Sequence, residues 1–171
     1  MKYRILTVFV CLCISLVMFS CLPSYKLNAA SIDYNTIKTI SIDNFQNRAT
    51  YQWAPMAPMF NNSISDVYNR QTKLRQVKRD GDLALSGEIT SYDQTNKSIA
   101  ASGYSSMVQL KMTVKVKFVN TKEHKDDFER SFSASREYDS SQQLTSVQEE
   151  LVQQMIDDIV DQIFNATVAN W

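Results

Sequence analysis

Hydrophobic and polar residues alternate most regularly between residues 108 and 118. Every even position in this stretch is apolar, and three of the five odd positions are lysines, namely Lys111, Lys115 and Lys117. A period of two places alternate side chains on opposite faces of a β-strand. The pattern therefore predicts a strand with one face in the core and a lysine-bearing face in solvent.

Weaker alternation predicts three more strands, at residues 37–43, 83–92 and 128–138. In the last of these, Arg130 and Arg136 share the parity of the apolar positions, which indicates a bulge or an edge strand. Polar residues at 93–106 and 120–127 predict loops between the last three strands. These strands should therefore pair as successive antiparallel hairpins.

Helical periodicity marks two segments. Residues 60–77 carry an apolar stripe, and residues 147–164 carry apolar side chains at steps of four. Ser146 and Glu149 predict a capping box at the start of the second helix. The first helix ends in cations, which suit either the negative end of the helix dipole or an anion-binding patch: Arg70, Lys73, Arg75, Lys78 and Arg79.

The order of elements is thus βαβββα. Because hairpins join the last three strands, we expect an α+β fold: a four-stranded, mostly antiparallel sheet with two helices on one face. Residues 36–171 are long enough to form a single domain.

The N-terminus has a different character. Lys2 and Arg4 precede an almost wholly apolar run from residue 5 to 19, and Ser20 and Cys21 follow it. This layout is typical of a signal peptide over residues 1–20, and the run up to Cys21 resembles a bacterial lipobox. An uncleaved membrane anchor and an ordinary signal peptide remain alternatives. On the lipoprotein interpretation, residues 21–35 are a lipidated cysteine and its tether.

Charge and cysteine content limit the classes of function and the covalent cross-links that are possible. The chain has 18 basic and 18 acidic residues, and removal of residues 1–20 leaves 16 basic residues. This near-neutral balance argues against nucleic-acid binding. Cys11 and Cys13 would leave with the signal peptide, and a covalent lipid on Cys21 would exclude an intramolecular disulfide.

Candidate chemistry is sparse. His124, the single histidine, lies in a charged loop, and no Cys/His cluster or glycine-rich phosphate loop is present in the sequence. We therefore expect a binding or scaffold protein with no catalytic residues, no metal and no cofactor other than the lipid on Cys21. The aromatic and Met-rich residues 51–60 fit either a loop that covers the core or a partner contact.

The segments 37–49, 80–92, 110–120 and 127–141, with the terminal helix to Trp171, resemble the LptE family of outer-membrane lipoproteins. The resemblance implies two helices on a four-stranded sheet. It also implies a plug within an LptD-type β-barrel, which helps that barrel fold and contacts lipopolysaccharide. The protein would then be lipid-anchored at the outer membrane, on its periplasmic side or in the barrel lumen.

Two hypotheses remain open at this point. One is the LptE-like plug, and the other is a periplasm-facing lipoprotein adaptor or lipid carrier without a barrel partner. If lipopolysaccharide is contacted, Lys111, Lys115 and Lys117 are the candidate residues, because lysine binds phosphate as a point charge. The alternative interpretation is that they only solubilise the sheet or pair with neighbouring carboxylates.

Overall fold

The computed structural model describes residues 32–99 and 105–169. The predicted signal peptide, Cys21 and most of the tether lie outside the described residues, as do residues 100–104 of the predicted 93–106 loop. The last tether residues do contact the domain, because Ile32 is buried in the hydrophobic core.

The described chain contains six strands and two long helices. The strands are β1 (Thr39–Ile42), β2 (Gln46–Asn47), β3 (Arg75–Val77), β4 (Leu83–Ile99), β5 (Ser105–Asn120) and β6 (Phe128–Asp139). The helices are α1 (Met56–Gln71) and α2 (Leu144–Phe164), and a π-helical turn, Asn165–Ala169, follows α2.

All six strands join one mixed sheet of order β3-β1-β4-β5-β6, with β2 pairing with β4. The predicted hairpins are confirmed, because β4, β5 and β6 pair antiparallel. The prediction of a four-stranded, mostly antiparallel sheet is wrong in strand number and partly in direction. β1 pairs in parallel with β3 and with β4, and β2 pairs in parallel with β4. Parallel pairing is possible because α1 forms a crossover connection between the first two strands and the later ones.

A tight crossing connects β3 to β4. Both strands flank β1, so residues 78–82 pass directly over its backbone. A Cβ at Gly81 would lie 2.4 Å from the Ser41 nitrogen, which explains glycine at this position. Asp82 then fixes the crossing, because its Oδ2 accepts hydrogen bonds from the Lys38 and Thr39 backbone N–H groups at 2.9 and 3.0 Å.

The bounds predicted for the first helix are wrong. It begins at Met56, four residues before the predicted start, and ends at Gln71 instead of residue 77. Pro58 lies in its first turn, where the missing N–H removes no intrahelical hydrogen bond. Beyond the helix, Leu74 is buried and Arg75–Val77 form β3.

The predicted terminal helix is confirmed, but its capping box is not. α2 begins at Leu144 after Gln143, which makes no side-chain capping bond, and Ser146 Oγ donates instead to the Gln143 carbonyl at 2.7 Å. Side chains of α1, α2 and the even positions of β5 share one hydrophobic core, so these even positions form the core face of the sheet. Within the described part of the chain, no helix has both the length and the apolarity needed to cross a bilayer.

The mixed pattern of the last strand has a simple cause. β6 lies at the edge of the sheet, and its pairing with β5 shows no register shift, so the edge alternative is confirmed and the bulge is not. Arg136 reaches α2, and the Arg130 guanidinium lies 4.3 Å from the ring centroid of Phe128 and 5.0 Å from that of Phe132. Arginine is therefore tolerated on the core face at this margin.

The predicted loop at 93–106 is mostly strand. β4 continues to Ile99 and β5 starts at Ser105, so the hairpin extends well beyond the predicted ends of its strands. Asp93 to Lys97 are all exposed, so burial does not impose an apolar alternation there.

Candidate functional site

The solvent face of the central strands carries the three lysines predicted from the sequence. Lys111, Lys115 and Lys117 are exposed on β5, while Met112, Val114 and Val116 are buried behind them. Same-face neighbours on a strand are about 7 Å apart. The lysines therefore form one row along the exposed face of the sheet, which consists of the odd positions of β5 and their strand neighbours.

Carboxylates from both neighbouring strands interrupt this row. Lys115 Nζ lies 2.5 Å from Glu129 Oε1, and the two side chains are each 50% exposed. The hydrogen bond and the charge of Glu129 raise the pKa of Lys115, and the same contact lowers the pKa of the Glu129 carboxyl. Glu88 of β4 is paired in register with Lys115. The two carboxylates therefore offset the positive charge in the middle of the face.

The two outer lysines have different surroundings. In register, Lys111 lies between Asp93 and Ser135, and Lys117 between Ser86 and Glu129. Within the described ranges, neither lysine forms an ion pair. A shallow depression of about 260 Å³ at Lys115 and Lys117 has Glu88 and Glu129 in its wall. An anionic group approaching this face would therefore meet Lys111 and Lys117 as its available cations.

A second concave feature lies on the core side, where the long hairpin passes the start of α2. It is a cleft of about 410 Å³, lined by Thr50, Tyr51, Tyr92, Asp93, Gln94, Leu110 and Leu144. The Tyr51 and Tyr92 rings stack with centroids 5.7 Å apart, and Tyr51 remains 51% exposed. The cleft thus has aromatic and aliphatic walls with a polar margin.

Polar contacts fix the position of Tyr92 in this wall. Gln148 Nε2 of α2 donates to the Tyr92 hydroxyl at 3.2 Å, and burial raises the pKa of that phenol. Sequence reasoning missed this cleft, because Tyr51 lies in an irregular segment and Leu144 is far along the chain. The aromatic and Met-rich composition of residues 51–60, which include Tyr51, was the signal in the sequence that could have pointed to it.

Four large apolar side chains of the 51–60 stretch cover the core. Met56 and Phe60 are fully buried in α1, and Trp53 and Met59 pack partly against the core cluster. The predicted covering of the core is therefore confirmed for these four side chains, but from Met56 onward the segment is part of α1 and not a loop, and Tyr51 is exposed.

The cations predicted at the end of the first helix do not lie on that helix. Only Arg70 is in its last turn, while the others lie in the following segment, on β3 or in the turn after it. The helix dipole therefore accounts for one of the five. All five are exposed, as is the neighbouring Lys38, whose carbonyl accepts the Arg75 N–H at 3.0 Å.

His124 lies where the sequence places it, in a short 3-10 turn (His124–Asp126) between β5 and β6. It is exposed, and its Nδ1 lies 3.0 Å from Asp127 Oδ2. Among residues 32–99 and 105–169, no group of three or more His, Cys, Asp or Glu side chains could hold a metal ion.

Comparison with known proteins adds the family. The model of the LptE family, described as lipopolysaccharide-assembly, matches residues 37–167. This range covers most of the described domain. No curated protein compared with the chain matches it.

Solved structures share the fold at low sequence identity. The hypothetical protein CT253 from Chlamydia trachomatis matches with a TM-score of 0.54 and 12% identity, over 78% of this chain and 99% of that one. The uncharacterized lipoprotein B from Nitrosomonas europaea matches with a TM-score of 0.51 and 15% identity, over 74% and 79% of the two chains. The rare lipoprotein B from Shewanella oneidensis matches with a TM-score of 0.50 and 12% identity, over 74% and 92%.

These likenesses establish an α+β fold of two helices and a multistranded sheet, and the match of the family model spans that fold. The chain therefore belongs to the LptE family, whose members act in lipopolysaccharide assembly.

Proposed function

We propose that this chain is an outer-membrane lipoprotein that occupies an LptD-type β-barrel and assists the insertion of lipopolysaccharide into the outer leaflet. The observation that carries the proposal is the family match over residues 37–167, which includes the six strands and both helices of the described chain. A plug of this kind acts by shape and surface and needs no catalytic group.

The packing is suited to a rigid insert. Both helices and the core face of β5 share one hydrophobic core. Tyr68 of α1 also forms a buried hydrogen bond with Thr167 in the turn after α2, so the ends of the two helices are joined. Burial raises the pKa of the Tyr68 phenol well above its usual range, which keeps it protonated. Such a domain keeps its outer surface constant, as a barrel wall requires.

We place the lipopolysaccharide contact on the exposed face of the sheet, at Lys111, Lys115 and Lys117. Lipopolysaccharide carries anionic phosphate groups, and exposed ammonium groups attract them. Lys115 is already engaged by Glu129, so Lys111 and Lys117 provide most of the attraction.

A lipid anchor at Cys21 would place this domain at the membrane. Several acyl chains on one residue hold a protein firmly, whereas one chain gives only marginal binding. Mass spectrometry of the mature N-terminus tests this anchor, and a mature protein that begins at Met1 or carries an unmodified Cys21 would refute it. The variant Cys21→Ala should remain unprocessed or be released from the membrane.

A lipid carrier without a barrel partner is the second candidate. The observation that favours it is the cleft beside Tyr51 and Tyr92, whose apolar walls and volume of about 410 Å³ suit an acyl chain. Affinity purification of the tagged protein from detergent-solubilised envelopes separates the two candidates. A large barrel protein recovered in stoichiometric amount supports the plug, and its absence supports the carrier.

A further inference from the structure

A group of cations without ion-pair partners in the described residues lies around the edge strand β3, the residue before β1 and the last turn of α1. We call this surface the basic end, and it consists of Lys38, Arg70, Lys73, Arg75, Lys78 and Arg79. All six side chains are exposed, and within residues 32–99 and 105–169 none of them forms an ion pair. The central lysine of the exposed sheet face is, by contrast, neutralised by Glu129.

Nearby carboxylates do not cancel this charge. Asp33 is occupied in a local turn, where it accepts hydrogen bonds from Asn35 and Thr36. Asp82 binds the Lys38 and Thr39 backbone and the Lys122 ammonium. Asp43, Asp66 and Asp80 are exposed and form no ion pair within the described residues, so the six cations outnumber the three nearby carboxylates that are not engaged elsewhere.

Two structural explanations for the cations are insufficient. The dipole of α1 accounts only for Arg70, since the helix ends at Gln71. A charged side chain on an edge strand can prevent that strand from pairing with another chain. This explanation applies only to Arg75, because β3 contains no other cation. Four of the six therefore have no structural role of this kind.

The segment that leads from the N-terminus into the domain contacts the basic end. The Lys73 ammonium lies 5.9 Å from the ring centroid of Tyr34, and the Lys73 N–H donates to the Tyr34 hydroxyl at 3.4 Å. The first described residues are thus packed against the basic end. Tyr34 follows Cys21 by 13 residues, a distance of at most about 45 Å in a fully extended chain.

We propose that the basic end binds the anionic phospholipid headgroups of the membrane that holds the N-terminus. This inference rests on the proposed membrane attachment through Cys21 and adds a second, electrostatic contact that orients the domain. Each lysine or arginine close to an anionic surface strengthens binding about fivefold, and the effect falls off within a Debye length. Six such residues give the domain a preferred side toward the bilayer.

Lysine footprinting of the full chain tests this proposal. The protein, purified from membranes and reconstituted, is acetylated in vesicles of phosphatidylcholine alone and in vesicles that also contain phosphatidylglycerol. Lys38, Lys73 and Lys78 should be acetylated more slowly in the anionic vesicles than in the neutral ones, and the difference should disappear at high salt. Lys97 and Lys125, elsewhere on the domain, provide the internal control and should not change.

Variants with fewer positive charges test whether the protection of these lysines from acetylation depends on the basic end. Arg75→Gln with Arg79→Gln should weaken the protection of the three reporter lysines, whereas Lys111→Gln with Lys117→Gln removes the same charge elsewhere and should leave it intact. Circular dichroism confirms that both variants are folded. A further arm replaces phosphatidylglycerol with lipopolysaccharide.

The outcomes are distinct from those of the proposed function. Equal reactivity in neutral and anionic vesicles, or protection by lipopolysaccharide alone, would overturn the phospholipid contact while leaving the barrel partner and the Cys21 lipid untouched. If mass spectrometry shows that Cys21 carries no lipid, the unanchored chain added to the same vesicles still reports on the basic end.

Discussion

The Arg136 guanidinium of the edge strand β6 lies 2.8 Å from the Asp158 carboxylate of α2. Its Nε also donates to Gln154 Oε1 at 2.9 Å, so one side chain holds the margin of the sheet to the helix. The Arg136 side chain is 30% exposed and that of Asp158 is 46% exposed. This position explains how a charged residue occupies the core face of a strand.

Arg136→Met should lower the free energy of unfolding by about 1 kcal/mol, because it removes the ion pair and keeps an apolar stem. Asp158→Asn should have a smaller effect. Urea denaturation of both single variants and the double variant gives a coupling energy, expected at about 0.2–1 kcal/mol for a pair of this exposure. Strictly additive effects would contradict the bridge.

Ile159→Asp tests the packing of α2. Ile159 is fully buried in the core, so the substitution places an unpaired carboxylate in an apolar site. The free energy of unfolding should fall by about 4 kcal/mol or more. The matched control is the exposed Asp161→Asn on the same helix, with an expected change within about 0.5 kcal/mol. A melting temperature for Ile159→Asp close to that of the parent would show that α2 does not pack as described.

Asp82 makes the stability depend on pH in a defined direction. The Lys38 N–H, followed by the Lys122 ammonium and the Thr39 donors, holds the pKa of the Asp82 carboxyl well below its usual range. The folded-state pKa is thus lower than that of the unfolded chain. The stabilisation is therefore present above pH 4 or so and is lost as the pH falls toward the folded-state pKa.

Asp82→Asn should accordingly destabilise the protein at pH 7, with a difference from the parent that shrinks in acid. Denaturation curves recorded from neutral pH to about pH 2 measure this difference. The exposed Asp43→Asn serves as the control. A constant difference across the whole range would show that the ionised carboxylate is not what secures the β3–β4 crossing.

Neutralising Lys111, Lys115 and Lys117 to Gln tests the exposed sheet face. Glutamine is preferable to glutamate here, because a new carboxylate at position 115 would face Glu129 and Glu88. Loss of the exposed Lys115–Glu129 pair should cost no more than about 1 kcal/mol. Lipopolysaccharide binding should weaken and lose most of its salt dependence.

The control for that experiment changes the same number of charges at the basic end, with Lys38, Lys73 and Lys78 all changed to Gln. Purified lipopolysaccharide is titrated against both triple variants at several salt concentrations, and their binding is compared. Undiminished binding in the folded Lys111, Lys115 and Lys117 variant would exclude this face as the contact.

Elements with strong burial patterns were predictable from the sequence. The strand around Val114 and the helix around Ile159 each present a regular apolar series, because one face of each element is dry. The hairpins followed from the polar segments between the last three strands, which show no helical periodicity. Arg130 and Arg136 correctly indicated an edge, since only a marginal position lets such side chains reach a ring or a helix.

The errors arose where local pattern and tertiary role differ. Pro58 resembles a helix breaker, yet it lies in the first turn, where no N–H is needed. Leu74 and Val77 continue the spacing of α1, although the chain there is extended. β2 and β3 have two and three residues, too few to show a period of two.

Some features of the candidate sites could be predicted from the sequence and others could not. The lysine row of β5 was visible in the sequence because it lies on one regular strand. The cleft beside Tyr51 and the extent of the basic end were not, because they join segments that meet only in the folded sheet. The acidic partners of the lysines also depend on strand register, which composition does not determine.

We propose above that this chain assists the insertion of lipopolysaccharide into the outer leaflet. The most direct measurement is the amount of lipopolysaccharide accessible to an impermeant probe on intact cells of the native bacterium, before and after depletion of the chain. We predict that surface lipopolysaccharide falls on depletion and is restored by the parent protein. Unchanged surface lipopolysaccharide in fully depleted cells would contradict the account.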